Sequence, residues 1–225
     1  MKNLKFILAG LVTLVVTSLT SCIGSSDDQD KGQTFYVTDF MNLTEKGNIL
    51  VSDENYSFTM ENFADFSKAF PEPPARMYTN FSLYVPEGKT FEQVYTTPLT
   101  SVYLVGACPA AVFDVIGSKP EKSPVFTFST FEASASKVFL NCYVYTTLAK
   151  TPKQTDFVAY VTATSSDGVV YVTVENQSVQ DPENITGSYG LSFPLNEVLA
   201  GQPYKKDSDG NVVLNVNGNT VKVKL

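Results

Sequence analysis

The sequence predicts an all-β protein with one short helix: a small barrel-like domain followed by an antiparallel β-sandwich. Three observations predict it. Short runs rich in Val, Ile, Thr, Tyr and Phe recur along the chain and are cut by turn pairs, the pattern of strands joined by tight connections. Two of those pairs, Asp167-Gly168 and Asn217-Gly218, are hairpin dipeptides that readily adopt positive φ. Aromatic residues are plentiful, with 16 Phe and 12 Tyr, while charged residues make up only 17%. That is enough apolar material for a real core.

The N-terminus reads as an export segment. Lys2 and Lys5 precede an apolar run from Phe6 to Val16, and Thr17, Ser18, Thr20 and Ser21 are small and polar. Charged, apolar, then small is the order of a secretory signal. The apolar part is about 11 residues, short of the roughly 20 needed to span a bilayer as a helix. Its end, Leu19-Thr20-Ser21-Cys22, resembles the bacterial lipobox. The resemblance implies lipid attachment at the Cys22 thiol, cleavage between Ser21 and Cys22, and acylation of the new N-terminus. Residues 1–21 are therefore expected to be the signal peptide and 22–32 an acidic tether, too polar to fold alone. Ser26-Asp27-Asp28 resembles the export signal of Bacteroides-type surface lipoproteins. This implies a protein held by lipid in the outer membrane and facing outward.

A first domain is expected over 33–116. Its strands are Thr34–Leu43, Asn48–Ser52, Tyr56–Met60, Met77–Val85 and Ser101–Ala107, chosen for β-branched and aromatic content. Lys46-Gly47-Asn48 makes a turn. In "MENFADFSKAF", Phe63, Phe66 and Phe70 fall at helical spacing. Glu61 and Asp65 come early and Lys68 late, as the helix dipole favours, and Pro71 ends the helix. Such a stripe is expected to pack on a sheet. Five strands with a helical interlude resemble an OB-like barrel.

"IGSKPEKSP" (116–124) is rich in Gly, Pro, Ser and charge, so 117–124 reads as a linker. The sandwich is expected over 125–225. Its strands are Val125–Phe131, Lys137–Thr146, Phe157–Thr164, Val169–Glu175, Ser188–Pro194, Val212–Val216 and Thr220–Leu225. A helical turn at Leu195–Ala200 stops at Gly201.

Composition excludes several kinds of chemistry. The chain has no His, which removes Ser-His-Asp and Cys-His nucleophile systems, His-containing zinc sites and histidine pH switches. It has no Trp, and Arg76 is its single arginine, so no basic cluster recognises phosphate. The signal takes Lys2 and Lys5 from 16 basic residues and nothing from 23 acidic ones. The mature balance of 14 against 23 is thus −9, and an acidic body repels nucleic acid. No cofactor or metal is expected. "DSDGN" (207–211) resembles the start of a calcium loop, but the sixth and twelfth positions, Val212 and Gly218, break the pattern. Asp53-Glu54, and Glu61 with Asp65, are the nearest carboxylate pairs, and both read as solvated charges rather than glycosidic machinery. "SASK" (134–137) lacks the partner motifs of a serine acyltransferase. Cys108 and Cys142 are either two separate buried thiols or a disulfide closing a loop of about 35 residues, worth about 3–4 kcal/mol.

"KVFLNCYVY" (137–145), "GSYGLSFPLNEVLAG" (187–201) and "GNVVLNVNGNTVKVKL" (210–225), together with the lipobox and the two-domain order, resemble NigD-like lipoproteins. The resemblance implies an N-terminal OB-like domain, a C-terminal β-sandwich and an envelope address. It implies no catalytic residue and no substrate. The expected function is therefore a non-catalytic, lipid-anchored envelope protein that binds a glycan or protein, or supports an assembly. Loops at domain ends or the aromatic segment Tyr56–Phe70 are where a ligand is expected. A lipid-anchored fimbrial or adhesin-type subunit is the alternative, for which proteolytic maturation at Arg76 would speak.

Overall fold

The structure, a computed structural model, describes residues 32–225. Among them the chain forms two compact units, with the division between Ala107 and Cys108.

The first unit contains β1 (Gln33–Leu43), β2 (Ile49–Ser52), β3 (Ser57–Met60), α1 (Phe63–Ala69), β4 (Arg76–Val85), α2 (Phe91–Tyr95) and the start of β5 (Thr100–Val112). The strand order is β3-β2-β1-β4-β5, and β5 pairs back onto β3. That last pairing is parallel, with Phe58 opposite Thr100 and Met60 opposite Val102. Closing the sheet removes its edges. Five strands closed in this order, with a helix between the third and fourth, are the OB arrangement expected from the sequence. Alternation sends Val37, Met41, Leu50, Phe58, Met77, Phe81 and Val102 inward to a common core. Gly47, at φ 78°, makes the turn into β2.

In α1, Phe66 is buried, and Phe63 and Phe70 pack on the same core. Asn62 fixes where the helix begins. Its side-chain amide donates to Leu104 O at 2.8 Å, and its carbonyl oxygen accepts from Leu104 N at 2.9 Å. The side chain thereby imitates one more strand residue beside β5. A second helix, α2, was not expected from the sequence. Its signal is a capping box, with Gln93 N donating to Thr90 Oγ1 at 3.2 Å and Thr90 N donating to Gln93 Oε1 at 2.9 Å.

The second unit takes the end of β5, then β6 (Asp114–Val115), β7 (Thr130–Ala135), β8 (Phe139–Leu148), β9 (Phe157–Thr164), β10 (Val170–Asn176), β11 (Ile185–Pro194), α3 (Leu195–Val198), β12 (Val212–Val216) and β13 (Asn219–Val223). One sheet orders the end of β5 with β11, β8 and β7, and the other runs β13-β12-β10-β9-β6. Their inner faces share one core, including Leu140, Cys142, Phe157, Val172, Phe193 and Leu214. The β7–β8, β8–β11, β9–β10 and β12–β13 pairs are antiparallel. Parallel pairs β5–β11, β6–β9 and β10–β12 also occur, so the sandwich is mixed rather than purely antiparallel. The β12–β13 hairpin turns at Asn217 and Gly218, with φ of 47° and 89°, as the Asn-Gly pair predicts.

Three expectations need correction. The division falls inside β5, not at 117–124, because β5 does not stop at Ala107. It continues through Pro109 to Val112 and pairs with β11. The run Val125–Phe131 is strand only from Thr130; Phe128 instead packs as a loop ring against Phe131 and Phe157. The Asp167-Gly168 connection is longer than two residues, since Thr164 pairs with Val170 and the turn spans 165–169.

Candidate functional site

Closure of the first unit leaves an outer face on β2, β3 and β5. Because Leu50, Phe58, Met60, Val102 and Leu104 point inward, the alternate residues Ile49, Val51, Ser57, Thr59, Ser101, Tyr103 and Val105 point outward. The register sets them side by side, with Ile49 opposite Thr59, Val51 opposite Ser57, and Thr59 opposite Ser101. None of these side chains is charged, although the chain as a whole is acidic. Tyr103 is 50% exposed and Val105 52%.

Leu99 stands at the rim of this face. It is 53% exposed and sits at φ 57°, in the left-handed region. A bulky residue is uncommon there. Two neighbours hold it. Leu99 N donates to Ser57 Oγ at 3.2 Å, and Thr59 Oγ1 donates to Leu99 O at 3.4 Å. The approach from α2 is fastened too. Thr96 Oγ1 and Thr97 Oγ1 cap Glu92 O and Gln93 O at 2.7 Å each, and Thr100 Oγ1 lies 3.0 Å from Val94 O. An apolar side chain is thus held in the solvent by its surroundings, against its own backbone preference.

The same unit holds a half-buried acid on β1. Asp39 lies on β1 between the inward residues Val37 and Met41. Its Oδ1 accepts from Phe40 N at 2.7 Å and its Oδ2 accepts from Tyr95 Oη at 2.8 Å. Desolvation pushes the carboxyl up to about 7. The Tyr95 hydrogen bond works against that shift, nearby Asp53 adds to it, and Arg76 opposes it. Burial beside Asp39 likewise holds the Tyr95 phenol well above its ordinary range. Arg76 is engaged elsewhere, with Nη1 and Nη2 donating to Asp53 Oδ1 and Oδ2 at 2.7 and 2.9 Å, and Nη1 also to Asn42 at 3.0 Å. The sequence reading of Asp53 as a solvated turn charge is therefore overturned. It is 9% exposed, and its ion pair with a residue on β4 draws the turn inward.

The residues singled out by sequence are placed as follows. Ser21, Cys22, Ser26, Asp27 and Asp28 lie outside the described residues. Cys108 and Cys142 are free thiols. They lie on β5 and β8, and β11 runs between those strands. Two strand spacings are about 9–10 Å, beyond the 7 Å or so that a disulfide tolerates. Burial pushes the Cys108 thiol up to about 12 and Cys142 higher still, so neither is an activated nucleophile. The aromatic segment 56–70 is not a ligand platform. Phe58 and Phe66 are core, and Tyr56, Phe63 and Phe70 pack against it. Glu61 and Asp65 are exposed, with Asp65 facing Lys68 at 3.2 Å. Asp207 makes a turn, accepting from Asp209 N and Asn211 N and pairing with Lys222 Nζ at 2.8 Å. Among the described residues no cluster of three or more His, Cys, Asp or Glu could hold a metal. The outer face and Leu99 were missed by sequence reading, because neither the barrel's closure nor a residue's φ is written in local composition.

The fold thus defines an all-β protein in which an OB-type barrel precedes a β-sandwich. No family model matches the chain, and no curated protein matches it. Solved structures do. One is assigned as a lipoprotein, from Bacteroides fragilis, at 8% identity and TM-score 0.44, covering 84% of this chain and 98% of that one. Another is a NigD-like immunity protein from Bacteroides caccae, at 13% identity and TM-score 0.37, covering 82% and 90%. A toxin-related protein from Parabacteroides distasonis matches at 13% identity and TM-score 0.39, covering 84% and 93%. A NigD-like protein, the kind the C-terminal residues resemble, is therefore among the structural neighbours.

Proposed function

We propose that this is a non-catalytic, lipid-anchored protein of the outer membrane, facing the cell exterior, that binds a partner protein through the barrel face formed by β2, β3 and β5. The observation that carries the binding role is Leu99, held exposed in a left-handed conformation by Ser57 and Thr59. The anchor and address rest on Cys22 and on Ser26-Asp27-Asp28.

The occupant is an uncharged, apolar segment of another protein. Leu99, Tyr103 and Val105 offer apolar surface with no charge among them, so a charged partner would be desolvated without compensation. The polar groups of the face are the hydroxyls of Ser57, Thr59, Ser101 and Tyr103, two of them spent in part on the backbone of Leu99, so its apolar side chains set the preference. A second copy would bring two bodies of the same negative sign together. The fimbrial alternative loses its support. Arg76 is 6% exposed within β4 and bonded to Asp53, a poor protease site.

The test places a photo-crosslinking residue at position 103 in intact cells, with position 162 on β9 as control. A discrete adduct from 103, weakened by Leu99→Ser and reproduced with the purified partner, supports the face. An adduct of twice the chain's own mass, or the same products from both positions, contradicts it.

A further inference from the structure

We propose that Asn217-Gly218 is a modification site, at which the chain converts Asn217 to aspartate and isoaspartate without an enzyme; the closed β12–β13 hairpin holds the reaction off, and local opening of that hairpin releases it. The proposal does not rest on the binding role of the Leu99 face.

Asn217 is the only asparagine in the chain followed by glycine. In the reaction the Gly218 nitrogen attacks the side-chain Cγ of Asn217 and gives up its proton. The Cγ–Nδ2 bond breaks, and ammonia leaves with that proton. Water then opens the five-membered imide. Opening at one carbonyl gives aspartate, and opening at the other gives isoaspartate, whose main chain is one carbon longer. Glycine permits the attack because no side chain crowds its nitrogen. Nothing bulky protects the pair. Residues 217–220 are exposed, and a Cβ at Gly218 would meet nothing within 4 Å.

Hydrogen bonds hold both reacting groups instead. Gly218 N, the attacking atom, donates to Asn215 Oδ1 at 3.1 Å. The Asn217 amide is held at both ends by one residue of β10. Its Nδ2 donates to Val174 O at 2.9 Å, and its Oδ1 accepts from Val174 N at 3.0 Å. Asn217 N also donates to Val172 O at 3.1 Å. The parallel β10–β12 pairing ends with Val172 opposite Val216. There the chain turns away, and the Asn217 amide supplies the next rung. Cγ cannot swing to Gly218 N until these bonds break, so the reaction waits for local opening.

The product fits the site less well. A carboxylate at 217 has no donor for Val174 O and sets an anionic oxygen against it. Val174 lies on β10, between β9 and β12, where a backbone carbonyl left unpaired is costly. The longer isoaspartate backbone also disturbs the register that sets Val216 opposite Asn219. Conversion therefore leaves the hairpin less firmly closed.

The test incubates the purified chain at mildly alkaline pH, folded and in guanidinium chloride, and follows each asparagine by peptide mass spectrometry. Asn217 is expected to convert first in denaturant, to both products, and at least about tenfold more slowly in the fold. Asn215→Ala, which frees the Gly218 N–H, is expected to raise the rate in the folded chain and leave the rate in denaturant unchanged; a thermal melt shows that the variant is folded. Asn217→Asp, standing for the product, is expected to lower hydrogen-exchange protection of the peptide covering 212–223, while the peptide covering β8 keeps its own. Equal rates in the fold and in denaturant, conversion of another asparagine before Asn217, an unchanged rate in folded Asn215→Ala, or unchanged protection in Asn217→Asp overturns the proposal.

Discussion

Arg76 grips Asp53 through two parallel bonds of 2.7 and 2.9 Å, in a setting where the side chains are 7% and 3% exposed. The pair ties the start of β4 to the turn after β2. Its guanidinium also lies 5.4 Å from the centre of the Phe40 ring. A pair this enclosed contributes less by its own attraction than by the penalty of separating it, because either partner alone is a buried charge. Arg76→Ala and Asp53→Ala should each destabilise the first unit by about 3–5 kcal/mol. Arg76→Lys should recover part of that loss at most, since an ammonium cannot reproduce the fork. Denaturant melts of the three variants check the order.

Stability should fall from mildly acidic to neutral pH because of Asp39. Its carboxyl titrates near 7 in the fold and near 3.9 in the unfolded chain. The folded state therefore holds its proton over a window where the unfolded state has lost it. The stabilising contribution is complete below the unfolded value, and it is lost as pH rises through the folded one. Asp39→Asn should flatten this part of the profile and be more stable than wild type at pH 8.5, by roughly 1–3 kcal/mol. Thermal melts across pH 4–9 would show it; parallel profiles for the two proteins would be incompatible with this reading.

Leu99→Gly should separate stability from binding. A left-handed backbone costs a non-glycine residue about 1–2 kcal/mol, and glycine removes that cost while gaining about 0.5–1 kcal/mol of unfolded-state freedom. Stability should therefore stay within about 1 kcal/mol of wild type, while crosslinking from position 103 drops sharply. Leu99→Val should instead destabilise, because a β-branched side chain fits this region worse.

In the sandwich, Phe113 sits where the chain passes from β5 to β6. It is 1% exposed and lies edge-on to Phe157 at 5.0 Å, with Phe193 at 6.3 Å. Phe113→Ala should cost about 3–5 kcal/mol through lost burial and a residual cavity. Phe113→Leu should cost markedly less. Calorimetry that also follows the first unit would show which melting transition moves.

The parts of this fold that were legible in sequence are those set by neighbours along the chain. The Asn217-Gly218 turn needs two residues at positive φ and has the pair that supplies them. Phe63, Phe66 and Phe70 repeat at helical spacing and mark α1, with the first two inside the helix and Phe70 at its C-cap. By contrast, α2 hid behind a Thr90–Gln93 capping box with a single apolar turn after it. The continuation of β5 past Ala107 was masked by Gly106 and Pro109, which read as strand breakers. The candidate site depends on distant partners. Tyr95 meets Asp39 across 56 positions and Arg76 meets Asp53 across 23, and Leu99 takes its φ from bonds to Ser57 and Thr59. No local pattern encodes such pairs, so a buried aspartate reads like any other acid in a strand.

The most direct measurement follows lipid and exposure together in cells making the wild-type chain and Cys22→Ala. Lipid is labelled metabolically, and intact cells are then treated with protease and blotted. An anchored, outward-facing binding protein carries label only in the wild type, and its body is shaved from intact cells. Label on both versions, or a labelled body fully protected until the cells are opened, would contradict it.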